Sequence, residues 1–238
     1  MWDDPGVDWD AFALVVVRSA WDYAERWREF LAWAESVPRI ENPLAVLRFG
    51  VDKELYLGAL ARAGVPVVPT AFLHPGEAFS APGEPFVVKP AISAGGRRSA
   101  RFARGDAAAE RLVSEILAAG DTAMVQPLVS NAGETALVFL DGTYSHSLRR
   151  GAALPLGMPD DVLHLEETVG EHEATPAECR TAEAALDVLP EPTLYGRIDL
   201  LGGRVLELEV VEPSLYLSFH PSAVDRLAAA VATRLQRT

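Results

Sequence analysis

The chain has 238 residues, 49% of them hydrophobic, which is enough for one sizeable core or for two to three lobes. A formal net charge of −13 argues against nucleic acid or an anionic membrane as a partner, although a local Lys/Arg cluster can still hold a small anion. The single cysteine, Cys179, excludes an intramolecular disulfide framework and suits a reducing compartment.

No apolar run approaches ~18 residues, and the acidic start MWDDPGVDWD has no basic segment of the signal-peptide kind. The expectation is a cytoplasmic protein. Phe12–Arg18 is a continuous apolar run, as for a strand buried on both faces. A helix follows, with Trp27, Phe30, Leu31 and Ala34 at helical spacing. Ligands of such β-α units gather at strand carboxyl ends, here Arg18–Tyr23, where Trp21 and Tyr23 are expected to cover the core edge, contact of Arg18 with a substrate being the less favoured alternative. Glu41-Asn42-Pro43 reads as a turn. Asp52 is placed to cap a helix over Lys53–Ala63, stopped by Gly64. Lys53 then sits in the first turn, where the helix dipole disfavours a cation, unless the cation serves a bound anion.

Strands are expected at Val65–Leu73, Phe86–Pro90 and Ser99–Ala103. The Gly-rich segment Ser93-Ala94-Gly95-Gly96-Arg97 lies between the last two and can fold over a phosphate as a flap. It is not a Walker A loop, because no Gly-Lys-Ser/Thr opens a following helix. Asp106–Ala119 is helical in pattern, and Thr122–Val129 is a strand whose Pro127 marks an edge or an end. Glu134–Leu140 and Thr143–Arg150 form a hairpin turned at Asp141-Gly142, with Arg149 and Arg150 on opposite faces. Residues 151–175 show no period and read as a loop; their His164 and His172 match no strong zinc pattern. Helices are expected at Pro176–Leu189 and Pro221–Gln236.

Arg197–Pro213, RIDLLGGRVLELEVVEP, is a hairpin around Gly202-Gly203. Alternation puts Arg197 and Asp199 on one face, and Glu207 and Glu209 opposite Leu206, Leu208 and Val210. A two-residue loop pairs Asp199 with Leu206; a three-residue loop, Gly202-Gly203-Arg204, pairs it with Glu207. The second register gathers three carboxylates that need a cation, and oxygen-only ligands suit Mg²⁺ or Mn²⁺. The alternative is a solvated acidic face on a half-exposed hairpin.

Asp52-Lys53, FVVKP, ISAGGR, MVQPLV, Gly133-Glu134 and RIDL…ELEVVEP occur in the order seen in the ATP-grasp superfamily, which residues 42–238 resemble. The chain is most similar to the small glutathione-synthetase-like group that includes the cyclising ligase of cycloserine biosynthesis, where RSTWDY stands at the place of RSAWDY here. The resemblance implies an α/β (α+β) architecture in which two α+β lobes sandwich the nucleotide. The implied division is a truncated α/β N-terminal lobe over 1–48, a central lobe over 49–127 and a C-terminal lobe with the metal site over 128–238. Relatives begin with a further β-α unit, so a sheet edge is expected where a second copy could dock as a homodimer.

The resemblance also implies roles. Lys53 and Lys89 would hold the α- and β-phosphates of ATP under the Ser93–Arg97 flap. Gln126, Pro127 and Leu128 would offer backbone to adenine, and Glu134 would hold the ribose. Asp199, Glu207 and Glu209 look like the magnesium ligands; the third is Asn in many relatives. Arg149, Arg150 and Arg197 are candidates to grip the transferred phosphoryl group. The implied activity is an ATP-dependent ligase or cyclase that joins a small carboxylate to a nucleophile through an acyl phosphate. The competing reading is a Mg-ATP-binding module without ligase chemistry.

Overall fold

A computed structural model describes residues 1–129, 133–152, 154, 156–158 and 167–236. The N-terminal part holds β1 (Val15–Val16) and β2 (Ile40–Glu41), paired in parallel, with α1 (Trp27–Ser36) between them. The strand expected over Phe12–Arg18 is only two residues long, because β1 has one short partner and Phe12 is exposed. Phe30 and Ala34 of α1 pack with Val17, Leu47 and Val51 in a small core. Trp21 is exposed rather than covering the core edge; Tyr23 is buried against Phe30.

Next come α2 (Leu44–Gly50) and α3 (Lys53–Arg62). The Asp52 carboxylate accepts the Glu54 and Leu55 N–H groups, which fixes where α3 starts. Val65–Leu73 does not form one strand. Pro66 and Pro69 remove two ladder donors, so only β3 (Ala71–Leu73) is regular. Val67 instead bridges to Val205.

The middle of the chain supplies β4 (Phe86–Pro90), β5 (Ala100–Phe102), α4 (Ala107–Ala118) and β6 (Ala123–Pro127). They form an antiparallel sheet in the order β3-β6-β4-β5. Alternation divides β4 cleanly: Phe86 and Val88 pack against Leu112 and Ile116 of α4, while Val87 and Lys89 line a cleft.

The rest comprises β7 (Glu134–Leu140), β8 (Thr143–Ala152), β9 (Glu167–His172), α5 (Pro176–Leu186), β10 (Tyr195–Leu201), β11 (Arg204–Glu209) and α6 (Pro221–Gln236). The antiparallel order is β11-β10-β7-β8-β9. β9 replaces part of the loop expected over 151–175. It is a polar edge strand ordered by its ladder to β8, so hydrophobic periodicity does not reveal it. His164 lies outside the described residues, and His172 pairs with Glu178 at 3.3 Å. Both faces of the sheet are covered. Leu137, Phe139 and Ile198 pack with Tyr56 and Leu60 of α3 and Ala182 of α5. Val138, Leu140 and Tyr195 pack with Ala223 and Ala230 of α6. Among the described residues no helix is long and apolar enough to cross a membrane.

Candidate active site

Gly202 and Gly203 have φ of 58° and 74°, so the β10–β11 turn is a two-residue one that needs left-handed backbone at both positions. The three-residue loop expected here is not formed. Leu201 pairs with Arg204 and Leu200 with Val205, yet Asp199 still pairs with Glu207. Leu206 is the surplus residue, a β-bulge that restores the parity the short turn would lose. Leu206 consequently lines the cleft instead of sharing a face with Leu208 and Val210; Val205 takes that place in the core. Carboxylate oxygens of Asp199, Glu207 and Glu209 lie within 4.8 Å of one another.

The register explains the rest of the polar face. Glu134 stands opposite Arg150, and Arg197 opposite Glu209. Asp199 is 1% exposed and held by two guanidinium groups. Arg197 is bidentate, Nε to Oδ1 at 2.8 Å and Nη2 to Oδ2 at 2.9 Å, and Arg150 Nη1 donates to Oδ2 at 2.5 Å. Lys89 Nζ is 2.7 Å from Glu207 Oε1, and Arg197 Nη2 is 3.3 Å from Glu209 Oε1. Tyr216, at φ 49°, presents its ring to both arginines. Burial pushes the Glu207 carboxyl up, but Lys89 and Lys53 overcome this and hold it well below the usual range. Burial pushes Glu209 up to about 7, and the charges of Glu207 and Asp199 add to it against the pull of Arg197. An acid cluster whose third member lacks full compensation, with oxygen donors alone, fits Mg²⁺ or Mn²⁺.

This face borders a cleft of about 620 Å³. Lys89, Ser93, Ala94, Gly95 and Gly96 line it, with Gly95 and Gly96 at positive φ. Lys53 is buried beneath the flap, where its Nζ donates to Ser93 O at 2.6 Å. The flap therefore rests on a buried ammonium whose pKa burial lowers. Arg97 is not among the lining residues; its guanidinium pairs with Glu25. Gln126, Pro127 and Leu128 form an apolar slot with Val87 and Leu206. The Leu128 N–H is already given to Pro85 O at 2.8 Å, so a base docking there must use other groups of the segment. Glu134 lines the same end; burial, then the Asp199 charge, raise its carboxyl to about 7.

Arg149 is the clear separation. It is exposed on the other face of β8, 3.4 Å from His172, because adjacent strand residues point oppositely. One unforeseen residue is Asn42, read as part of a turn but fully buried. Its amide donates to Tyr195 O and Val210 O and accepts from Leu194 N and Tyr195 N. A polar residue beside Pro43 gave no local hint of this. Tyr216 was also missed, although ELEVVEP pointed to the segment that carries it.

Two mixed α/β layers facing one cleft, with a Gly-rich flap on one and an acid hairpin on the other, place the chain in the class of ATP-grasp folds. D-alanine–D-alanine ligase from Bacillus anthracis, solved with ATP, superposes with a TM-score of 0.65 at 14% identity, covering 91% of this chain and 82% of that one. The ATP-grasp ligase PsnB superposes at 0.58 with 20% identity, covering 92% and 79%. Within that class the chain belongs to the family of DcsG. It is 38% identical over 265 residues to the cycloserine biosynthesis protein DcsG of Streptomyces lavendulae, covering 99% of this chain and 87% of that protein. The crystal structure of D-cycloserine synthetase DcsG has a TM-score of 0.86 and 36% identity, covering 99% and 88%. The family model of the DcsG N-terminal domain matches residues 1–46.

Proposed function

We propose that the chain closes a cycloserine-type ring: it phosphorylates the carboxylate of a small amino acid with ATP, and a nitrogen tethered to the same molecule displaces the phosphate. The observation that carries this reading is the acid triad set across a β-bulge, facing Lys89 in one cleft. The identity of the nucleophile rests on the relatives' names, cycloserine biosynthesis protein and D-cycloserine synthetase.

The roles follow the geometry. The slot at Gln126–Leu128 takes adenine and Glu134 the ribose. Lys89 faces the phosphates, and Lys53 acts on them through the flap it supports. Asp199, Glu207 and Glu209 would hold Mg²⁺ (or Mn²⁺), which would neutralise phosphate charge during transfer. Arg197 and Arg150 hold Asp199 in place through their hydrogen bonds and stand ready for the transferred group. The carboxylate oxygen forms its bond to the γ-phosphorus as the bond to the ADP oxygen breaks. The nitrogen then attacks the acyl carbon, loses its proton and releases phosphate. Arg97 and Arg149 have no part in this reading.

The test is release of ADP and phosphate with amino acids and with ureido and hydroxy acids. Asp199→Asn and Glu207→Gln are expected to lower turnover at least 100-fold. Unchanged turnover in both would remove the metal role, and tight Mg-ATP binding with no phosphate release from any acid would favour a binding module.

A further inference from the structure

The cleft continues past the acid triad. Its far end is built from the segments after β1 and after β11, and Arg18, Tyr23, Glu212, Ser214 and Tyr216 line it. Nucleotide positions account for the opposite end, so this one faces the acceptor.

The far end carries both signs of charge, and the two do not cancel. Arg18 Nη1 donates to Pro213 O at 2.8 Å, and its guanidinium lies 5.2 Å from the centroid of the Tyr195 ring. The backbone N–H of Ala20 lies beside the Glu212 carboxyl and favours its charged form. Among the described residues, no ion pair joins Glu212 to a basic side chain. Burial, then the charge of Glu209, push its carboxyl up to about 7. The nearby Arg18 charge favours the ionised form of Glu212, but Arg18 gives its Nη1 to Pro213 O rather than to this carboxylate, so a half-buried acid is left that a further cation would stabilise.

We propose that Glu212 anchors the ammonium group of an α-amino acid whose carboxylate points to Arg197 and the acid triad. This rests on the ring-closing reading for the direction of the carboxylate. Arg197 and Glu212, which define the two ends of such a molecule, line one cleft, and Glu212 is three residues beyond Glu209 of the triad, at most ~11 Å of chain. An ammonium suits the place better than a second divalent ion. It needs three hydrogen-bond acceptors rather than six or more oxygens, and Glu212 with the hydroxyl of Ser214 can supply them. Burial, with the charges of Glu209 and Glu212, also keeps the Tyr23 phenol in its neutral form, so no competing cation is drawn there by a phenolate. Arg18 is a positioning residue: it pins the carbonyl of Pro213 and so the backbone that follows Glu212.

The experiment is calorimetric binding in the presence of Mg²⁺ and a non-hydrolysable ATP analogue. The probes are serine and O-substituted serines of both configurations, each beside its counterpart lacking the amino group. The wild type is expected to bind at least one amino acid tenfold or more tightly than its desamino counterpart. Glu212→Gln is expected to erase that preference while nucleotide affinity stays within twofold, and Glu212→Asp to keep part of it. A preference that survives Glu212→Gln overturns the assignment, and so does a wild type that binds both members of every pair alike. If Glu212→Gln fails to fold, Glu212→Asp carries the test, and a preference undiminished in it overturns the assignment. Turnover is not read, so amino-acid binding without ADP release would overturn the ring-closing reading and leave the assignment of Glu212 standing.

Discussion

Asp199 faces Glu207 across the ladder because Leu206 is one residue too many for its strand. The turn and the bulge work as a pair. Gly202-Gly203 makes the loop short, and the bulge returns the acids to one face. Gly203→Val places a β-branched residue at φ 74°, which costs about 1–2 kcal/mol. It also opens the way to a slipped register that turns Glu207 toward the core. The expected outcome is a lower melting temperature together with loss of the stabilisation that Mg-ATP gives the wild type, both read by thermal unfolding with and without nucleotide. A variant that melts earlier yet keeps its full nucleotide shift would show that the register does not depend on the turn.

Lys89 shares the cleft face of β4 with Val87, while Phe86 and Val88 face α4, and its ammonium pairs with Glu207. Sequence alone suggests a lysine free of any packing duty. The structure gives it two duties, since it is 8% exposed and neutralises a buried acid. Lys89→Ala leaves Glu207 with Lys53 as its remaining nearby cation, so both stability and nucleotide affinity are expected to fall. ATP affinity should drop at least tenfold by calorimetry. Added Mg²⁺ should raise the melting temperature of the variant more than that of the wild type, because metal and lysine serve the same carboxylate. An equal Mg²⁺ effect on both proteins would refute that competition.

Legibility follows how local the cause is. Asp52 and Asp106 cap helices through their own next few N–H groups, and Asp141-Gly142 turns β7 into β8 within two residues. These elements could be read directly. β9 could not, because its order comes from β8 rather than from its own side chains. Val65–Leu73 looked like a strand because apolar composition outweighed two prolines. The acids of the site were legible from parity and from ordered motifs. Their cations were less so: Arg150 reaches Asp199, while Arg149 and Arg97 are held elsewhere by His172 and Glu25. Which of two neighbouring arginines enters a site depends on a strand's face, and the β7–β8 ladder shifts register between Val138 and Phe139.

Asn42 joins the N-terminal part to the acid hairpin. Its Nδ2 donates to Tyr195 O at 2.9 Å and Val210 O at 2.7 Å, and its Oδ1 accepts from Leu194 N at 2.8 Å. Those groups lie at the start of β10, in the residue before it and in the chain just beyond β11, so one amide ties the two strands of the hairpin together. Asn42→Ala leaves buried backbone groups without partners and is expected to cost about 2–4 kcal/mol. In a chain of this length that corresponds to roughly 5–15 °C in melting temperature. Turnover should fall as well, because the same strands carry Asp199 and Glu207. An Asn42→Ala protein with unchanged melting temperature would mean that water satisfies these groups.

His146 gives the fold a sensitivity to acid that is remote from the triad. Its ring is buried, with Nε2 2.9 Å from Leu215 O and Nδ1 2.8 Å from Ser145 Oγ, and it stacks on His220 at 4.4 Å. Burial lowers its pKa to about 4, and the nearby charges of His220 and Arg226 push the same way against the Leu215 hydrogen bond. The unfolded chain takes up this proton near 6.5 and the folded chain only near 4, so the unfolded state binds more protons between those values. Stability contributed by neutral His146 is complete above about 6.5 and is lost as pH falls toward 4. His146→Gln keeps a polar group toward Leu215 O but cannot titrate. Its melting temperature is expected to fall less steeply than that of the wild type between pH 6.5 and 4. Parallel curves for the two proteins would place the acid sensitivity in other groups.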